Sequence, residues 1–142
     1  MFTSKAFAWL DLFVNTSSGI EHPRDLKGKR IGVPDYTVTA ALWMREMLRE
    51  LYGIQPKDNV WFQGRLKELS VGALLGLDQY VPAGTTLKWL GKEQTIDVML
   101  DRGELDAAYG LSSQSSHLQG TLGINRRGGV TVQSNPRIRK LF

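Results

Sequence analysis

The residues best suited to chemistry lie between Asp35 and Thr39, directly after a short apolar run. The run Ile31–Val33 predicts a buried strand that ends at Pro34. Asp35, Thr37 or Thr39 can then cap a helix by accepting hydrogen bonds from its first free N–H groups. Unpaired N–H groups and the helix dipole attract negative charge, so a carboxylate or phosphate ligand would fit there.

Two interpretations of this stretch remain open. In the simpler one, Thr37 and Thr39 only cap the helix, and the negative charge of Asp35 occupies the anion position. In the other, the same hydroxyl and N–H groups bind an acidic ligand. Open α/β sheets bind ligands at this place, where a helix begins beyond the carboxyl end of a strand.

The helix that positions these groups is predicted by apolar residues at helical spacing. Ala40, Met44, Met47 and Leu51 form the expected inward face, with charged residues between them. Gly53 stands where a left-handed C-cap belongs. We therefore predict one amphipathic helix that ends at this glycine.

A second strand, Val60–Phe62, follows a turn at Pro56. A strand, helix, strand unit of this length predicts two parallel neighbours with a right-handed connection. Gln63 should then lie beside the carboxyl end of the first strand, where its amide either binds a carboxylate or only closes the strand.

The rest of the chain predicts further elements around the same sheet edge. Arg65–Leu77 is expected to be a helix, although two glycines interrupt its pattern. A short helix after Thr95 should bury Ile96, Met99 and Leu100 and keep Asp97 on its solvated side. A third strand, residues 105–109, ends at Tyr109.

The C-terminal part adds a polar turn, a hairpin and a short terminal segment. Residues 112–120 are polar and should cover the rim of the anion site, which makes His117 the better placed of the two histidines. Residues 121–133 predict a hairpin, and residues 137–142 the start of a helix. A serine near His117 lacks the ordered acid and tight turn of a nucleophile site.

Length and composition limit the class of protein. With 142 residues and 42% apolar content, the chain fits one domain. Absence of cysteine excludes disulfides and thiolate metal sites, and we found no nucleotide, metal-ligand or cofactor motif, so neither metal nor cofactor is expected. The net charge of +4 and a basic C-terminal stretch lack a recognition motif, so we expect no nucleic-acid partner. No apolar span or signal peptide is evident, which favours a cytoplasmic location, or a periplasmic one if the chain is truncated.

Several motifs resemble a known family. They are S-G-I from Ser18, D-L-K-G-K-R-I-G-V-P from Asp25, Y-x-x-T-A from Tyr36, W-F in the second strand, and M-L-D-R-G-E-L-D-A from Met99. Together they resemble the type II periplasmic binding protein fold, and in particular 4,5-dihydroxyphthalate decarboxylase and related substrate-binding proteins. The resemblance implies that residues 1–142 form a single α/β lobe, the second of two, with a small mixed, mainly parallel sheet flanked by helices.

Family members hold their ligand between two lobes, so this chain would carry half of such a site. By resemblance, the ligand-binding residues are Tyr36, Thr37, Thr39, Gln63 and Tyr109. The surfaces that the first lobe would cover predict a homodimer, with or without exchange of terminal strands.

Three functions follow as alternatives. The first is binding of a small anion, plausibly an aromatic carboxylate, without turnover. The second is decarboxylation of a dihydroxyphthalate-like acid, for which His117 is the candidate proton donor. The third is an inactive lobe fragment.

Overall fold

The chain is described by a computed structural model over residues 11–77, 81–111 and 134–142. Its strands are β1 (Leu12–Asn15), β2 (Arg30–Val33), β3 (Val60–Gln63), β4 (Thr86–Trp89), β5 (Ala107–Tyr109) and β6 (Ile138–Lys140). They form one sheet in the order β4-β3-β2-β5-β1-β6. Its helices are α1 (Thr39–Tyr52), α2 (Val71–Leu74) and α3 (Ile96–Asp101), with short 3-10 helices at Pro23–Leu26, Pro56–Asp58 and Lys67–Leu69.

The sheet is mixed and mainly parallel, as predicted. β2 is parallel to β3 and to β5, and β3 is parallel to β4. β1 is antiparallel to both β5 and β6. The fold class expected from the sequence, α/β with flanking helices, is therefore confirmed. The helix expected at residues 137–142 is wrong, because this segment instead pairs with β1 as an edge strand.

Alternate residues of each strand pack on opposite faces of the sheet. Leu12 and Val14 belong to the core that α1 covers, whereas Phe13 belongs to the core on the face of α3. α3 buries Ile96, Met99 and Leu100, as expected. Asp97 is also buried, at 1% exposure, so its predicted place on the solvated side is wrong.

The helix α1 has the predicted extent, but its buried face is shifted from the predicted one, of which Ala40 and Met47 are partly buried against the core. Gly53 ends it with a φ of 67°, in the left-handed conformation expected. Met44 is buried, but Leu51 is 61% exposed. The buried residues are Ala41, Met44, Arg45 and Leu48. The sequence prediction counts Arg45 among the charged residues between the apolar positions, and so does not place it on the buried face.

The long helix expected at Arg65–Leu77 does not form. A 3-10 turn is followed by the single turn α2, and Gly76 then has a φ of 68°. Leu74 is 72% exposed, so this segment does not bury the apolar face that would stabilise a longer helix.

Glycines allow α3 to lie close to the sheet. A Cβ placed on Gly32 would come within 2.8 Å of Leu105 Cδ1 and 2.9 Å of Ile96 Cγ2. A Cβ on Gly64 would come within 2.5 Å of Ile96 Cδ1. The close packing of β2 against α3 therefore requires glycine at these positions.

A buried ion pair fixes the loop between β2 and α1. The parallel ladder continues past the strands, since Gly64 N–H donates to Val33 O and Arg65 N–H to Pro34 O. Arg65 thus returns beside Asp35, and its Nη1 lies 2.9 Å from Asp35 Oδ2. Both side chains are buried, with exposures of 7% and 0%.

The Asp35 carboxylate also receives donors from its own loop and from α2. Its Oδ1 accepts from the N–H and the hydroxyl of Thr37, and its Oδ2 from the N–H of Val71. Burial opposes ionisation of Asp35, but the hydrogen bonds from Thr37 and Val71 outweigh it and lower the pKa below the usual 3.8.

The substitution Gly32→Ala should destabilise the fold, because the new methyl group collides with Ile96 and Leu105 in a closely packed layer. We expect the free energy of unfolding to fall by about 1–3 kcal/mol in urea denaturation. The control Gly91→Ala places its Cβ 3.5 Å from Gln94 Oε1, an ordinary contact, and should change stability by less than about 0.5 kcal/mol. Equal stability of the two variants would contradict the packing argument.

The substitution Asp35→Asn should destabilise the protein by about 3–5 kcal/mol at neutral pH, because it leaves the buried Arg65 without its anion. The pKa of Asp35 is lower in the folded than in the unfolded chain. Its stabilisation is therefore full above about pH 3.8 and is lost as the pH falls towards the folded pKa. The difference between the two proteins in urea denaturation should shrink in acid.

A matched control is Glu50→Gln, which removes one carboxylate from an exposed ion pair with Arg49. It should change the unfolding free energy by less than about 1 kcal/mol. A pH-independent difference between wild type and Asp35→Asn would count against the charged Asp35 as the source of stability.

Candidate functional site

A cavity of about 350 Å³ lies beside α1 at the carboxyl edge of the parallel strands. Gln63 and Trp89, the last residues of β3 and β4, both line it. Tyr36 and Thr37 line it from the loop before α1, and Leu77 lines it from the segment after α2. The cavity therefore lies between α1 and the β3–β4 side of the sheet and reaches the carboxyl ends of both strands.

Arg45 and Tyr36 form a stacked pair in the cavity wall. The guanidinium carbon of Arg45 lies 3.6 Å from the centre of the Tyr36 ring, and its Nη1 donates to Tyr36 O at 2.7 Å. The Tyr36 ring meets Trp61 edge to face, with 5.6 Å between ring centres. These contacts fix the position of the guanidinium.

The charge of Arg45 is buried without a carboxylate of its own. Arg45 is 8% exposed, and within the described residues it makes no ion pair. Burial lowers the pKa of Arg45, and the nearby Tyr36 and the carboxylate of Glu46, which lines the same cavity, partly oppose that shift. Burial raises the pKa of Tyr36, and the charge of Arg45 partly opposes this second shift. A buried cation is normally paired, so an anion in the cavity would complete this site.

Gln63 has the position predicted for it, opposite Val33 in the ladder. Its Oε1 accepts from Tyr36 N–H at 2.7 Å, which holds the loop against the sheet. Its Nε2 is buried with no hydrogen-bond partner in the described structure, although the amide lies near enough to Asp35 to help lower that pKa. The two N–H donors of the Gln63 amide therefore have no hydrogen-bond partner among the described residues.

The start of α1 differs from the predicted cap. Val38 is the N-cap residue and makes no side-chain cap, since the Thr37 hydroxyl donates to Asp35 instead. Asp35 thus occupies the N–H of Thr37 but none of the first N–H groups of α1. The N–H groups of residues 39–41 find no acceptor in the described part of the chain. Thr39 is exposed and does not line the cavity.

Tyr109 lies away from the cavity. It ends β5, is 5% exposed and belongs to the same apolar core as Tyr36. Burial, with the nearby charge of Asp11, raises the pKa of Tyr109 to about 12. Of the five predicted binding residues, the structure brings Tyr36, Thr37 and Gln63 together, and their role in binding stays a prediction.

His117 and the hairpin predicted at residues 121–133 lie outside the described residues. Within those residues, no three His, Asp or Glu side chains are grouped as metal ligands would be. No helix in this part of the chain is long and apolar enough to cross a membrane.

Sequence reasoning missed Arg45, the main charged group of the cavity. Ala41, Met44 and Leu48 share its spacing of three and four residues, so the true inward face can be found in the sequence. The predicted face instead uses Ala40, Met44, Met47 and Leu51 and leaves Arg45 among the charged residues between them. An arginine at a regular apolar position is the signal that could have found this residue.

Sequence comparison identifies proteins that are similar to this chain. No protein-family model matches it. A 4,5-dihydroxyphthalate decarboxylase of Pseudomonas putida is 38% identical over 120 residues, which are 84% of this chain and 46% of the relative. A 4,5-dihydroxyphthalate decarboxylase of Comamonas testosteroni is 37% identical over 110 residues, 78% of this chain and 33% of the relative.

The chain therefore spans less than half the length of these curated relatives. The predicted correspondence to one lobe of a two-lobed binding protein agrees with that partial coverage and stays a prediction. Over most of its own length, this chain is related in sequence to 4,5-dihydroxyphthalate decarboxylases, which confirms the resemblance to that family, whereas the type II periplasmic binding protein fold stays a prediction.

Proposed function

We propose that this chain binds a small aromatic carboxylate in the cavity beside α1. The observation that carries the proposal is the buried guanidinium of Arg45, which lines an apolar cavity and has no carboxylate partner in the described chain. A ligand carboxylate would supply the missing anion through charge-assisted hydrogen bonds.

The walls of the cavity favour a flat, apolar ring next to that carboxylate. Leu42, Leu87 and Trp89 line the cavity together with Tyr36, so most of its surface is aliphatic or aromatic. Its volume of about 350 Å³ is at the lower end of the usual range for small-molecule sites, roughly 300–1,000 Å³. A single substituted ring is the size of ligand that such a cavity accepts.

The two relatives support a ligand of the same class. Both are named for 4,5-dihydroxyphthalate, a benzene ring with two neighbouring carboxylates and two hydroxyls. One carboxylate would bind Arg45. The polar groups that remain at the cavity, the unused amide donors of Gln63 and the hydroxyl groups of Thr37 and Ser70, would meet the other substituents.

A second candidate function is decarboxylation of 4,5-dihydroxyphthalate, the reaction for which the relatives are named. The names of the relatives favour it, although this chain spans less than half of each. Each carboxylate-bearing carbon of 4,5-dihydroxyphthalate lies para to a hydroxyl. In the first step, a proton adds to the carbon that bears the carboxylate and forms a C–H bond, and the para oxygen shares the resulting positive charge. In the second step, the bond between this carbon and the carboxylate breaks, its electron pair returns to the ring, and carbon dioxide leaves.

Such a reaction needs a proton donor and a fixed carboxylate. Arg45 would orient the ring through the carboxylate that stays. His117 is the candidate proton donor that we predicted from the sequence. Binding without turnover needs only the cavity, so the two functions can be separated by substitution.

Arg45→Met should weaken binding of 4,5-dihydroxyphthalate about tenfold or more, because it removes a charge-assisted interaction while keeping an apolar side chain of similar length. Titration calorimetry gives the dissociation constant. Quenching of tryptophan fluorescence provides a second measurement, since Trp89 lines the cavity. Circular dichroism and thermal unfolding show whether the variant remains folded.

The matched control is Arg102→Met, which removes an exposed arginine at the end of α3, on the other face of the sheet. It should leave the affinity unchanged. If wild type binds and folded Arg45→Met binds equally well, Arg45 is not the carboxylate site and the proposal fails.

For turnover, we expect the protein to release carbon dioxide from 4,5-dihydroxyphthalate and His117→Ala to lower the rate at least about 100-fold, as for loss of a general acid. His22→Ala is the control, because His22 is the one other histidine of the sequence and caps an exposed 3-10 helix. Unchanged release by His117→Ala would remove this histidine from the chemistry. Ligand binding without any release would leave binding as the function of this chain.

A further inference from the structure

We propose that the outward face of α1 is a homodimer interface, in which two copies of the chain pack antiparallel about a two-fold axis near Met47. The proposal goes beyond ligand binding and assigns a surface to the predicted self-association.

The outward face of α1 is unusually apolar for a free helix surface. Trp43 is 63% exposed and Leu51 is 61% exposed. Together with Met47, which is partly buried and also packs against the core, they line a groove of about 420 Å³ along the helix. Exposed apolar surface of this kind, with charged residues at its rim, is typical of protein interfaces, in which tryptophan is enriched.

The spacing of these residues suits a copy of the same helix running in the opposite direction. Trp43 and Leu51 each lie four residues from Met47. In an antiparallel pair centred on Met47, Trp43 of each copy therefore lies opposite Leu51 of the other. A two-fold interface requires this reciprocity, since each contact must occur twice.

In the antiparallel pair of α1 helices, the charged residues at the rim of one groove lie beside residues of opposite charge in the other copy. Arg49 forms ion pairs with Glu46 at 2.8 Å and with Glu50 at 2.9 Å within one helix. Arg49 and Glu46 lie two residues after and one residue before the midpoint, on the same flank of α1. A two-fold axis brings equal flanks together, so Arg49 of one copy lies beside Glu46 of the other. A rim with acids alone would repel its copy, whereas this one can exchange ion pairs.

Exposed apolar side chains also occur outside the groove. Leu42 of α1 and Leu77 after α2 are 47% and 44% exposed, and both line the cavity. Leu74 and Leu75 are 72% and 67% exposed in the same α2 segment. One helix of 14 residues is only about 21 Å long, and a stable dimer buries roughly 1,200–2,000 Å² in total. Such a dimer therefore needs area beyond α1, for which Leu74 and Leu75 are exposed and lie outside the lining of the ligand cavity.

The experiment is light scattering coupled to size-exclusion chromatography, with the wild-type chain loaded at about 1 to 100 µM so that mass action is visible. We expect a mass near twice the 15.9 kDa of one chain at the upper concentration. A mass of one chain throughout would overturn the proposal.

Trp43→Lys should raise the dissociation constant of the dimer about tenfold or more, because it removes the central anchor and places two new charges in the groove. Because Trp43 is exposed, the variant monomer should keep its thermal stability, which thermal unfolding measures in the same samples. Phe142→Lys, at an exposed residue after β6, is the control and should leave the dimer unchanged. A dimer that resists Trp43→Lys would use another surface, such as exchanged terminal strands, and would contradict the proposal.

The orientation is tested by exchanging charges. Arg49→Glu and Glu46→Arg should each weaken the dimer, because each places like charges together at the flank. The double variant restores both opposite pairs and should recover most of the wild-type affinity. A double variant as weak as either single variant would exclude the antiparallel arrangement.

Discussion

The parallel pairing of β2 with β3 is the constraint on which the rest of this structure depends. It places each residue of β3 opposite the residue 30 positions earlier, from Arg30 with Val60 to Val33 with Gln63. The same offset continues beyond the strands and brings Arg65 to Asp35. The loop that forms one wall of the cavity is thereby held by backbone hydrogen bonds and by a buried ion pair. Removal of one partner from such a pair leaves an uncompensated charge, so the two residues act as a unit.

Two buried arginines of this chain have different consequences. Arg65 is paired with Asp35 through Nη1 and stabilises the loop, although its buried Nε has no hydrogen-bond partner among the described residues. Arg45 is held by a ring face and one carbonyl, which fix its direction but do not neutralise it. Within the described residues, the molecule therefore presents a rigid cation beside an apolar cavity. A preorganised charge of this kind favours ligand binding, because little ordering is needed when the ligand arrives.

The cavity and the groove lie on adjoining sides of α1. Glu46 lines both of them. The buried face of the same helix packs on the sheet through Met44 and Leu48. The helix α1 thus contributes to the cavity, to the groove and to the core. Its sequence therefore lacks the simple division into apolar and charged halves that usually shows which face is buried.

The sequence by itself determined the elements whose signals are local. The apolar run before Pro34, the helix ended by Gly53 and the strand at residues 60–62 all followed from residue patterns. Together they predicted a parallel unit with Gln63 at its edge. Relationship to 4,5-dihydroxyphthalate decarboxylases was also evident from the motifs.

Only the tertiary structure decided which charges are buried. Asp97 and Arg45 are inside because neighbouring elements cover them, and a single-sequence pattern assigns every charge to solvent. The segment after Arg65 does not extend its helix, because its leucines find no core to cover. Local residue types thus specify strands and helices, whereas burial depends on partners that are distant in sequence.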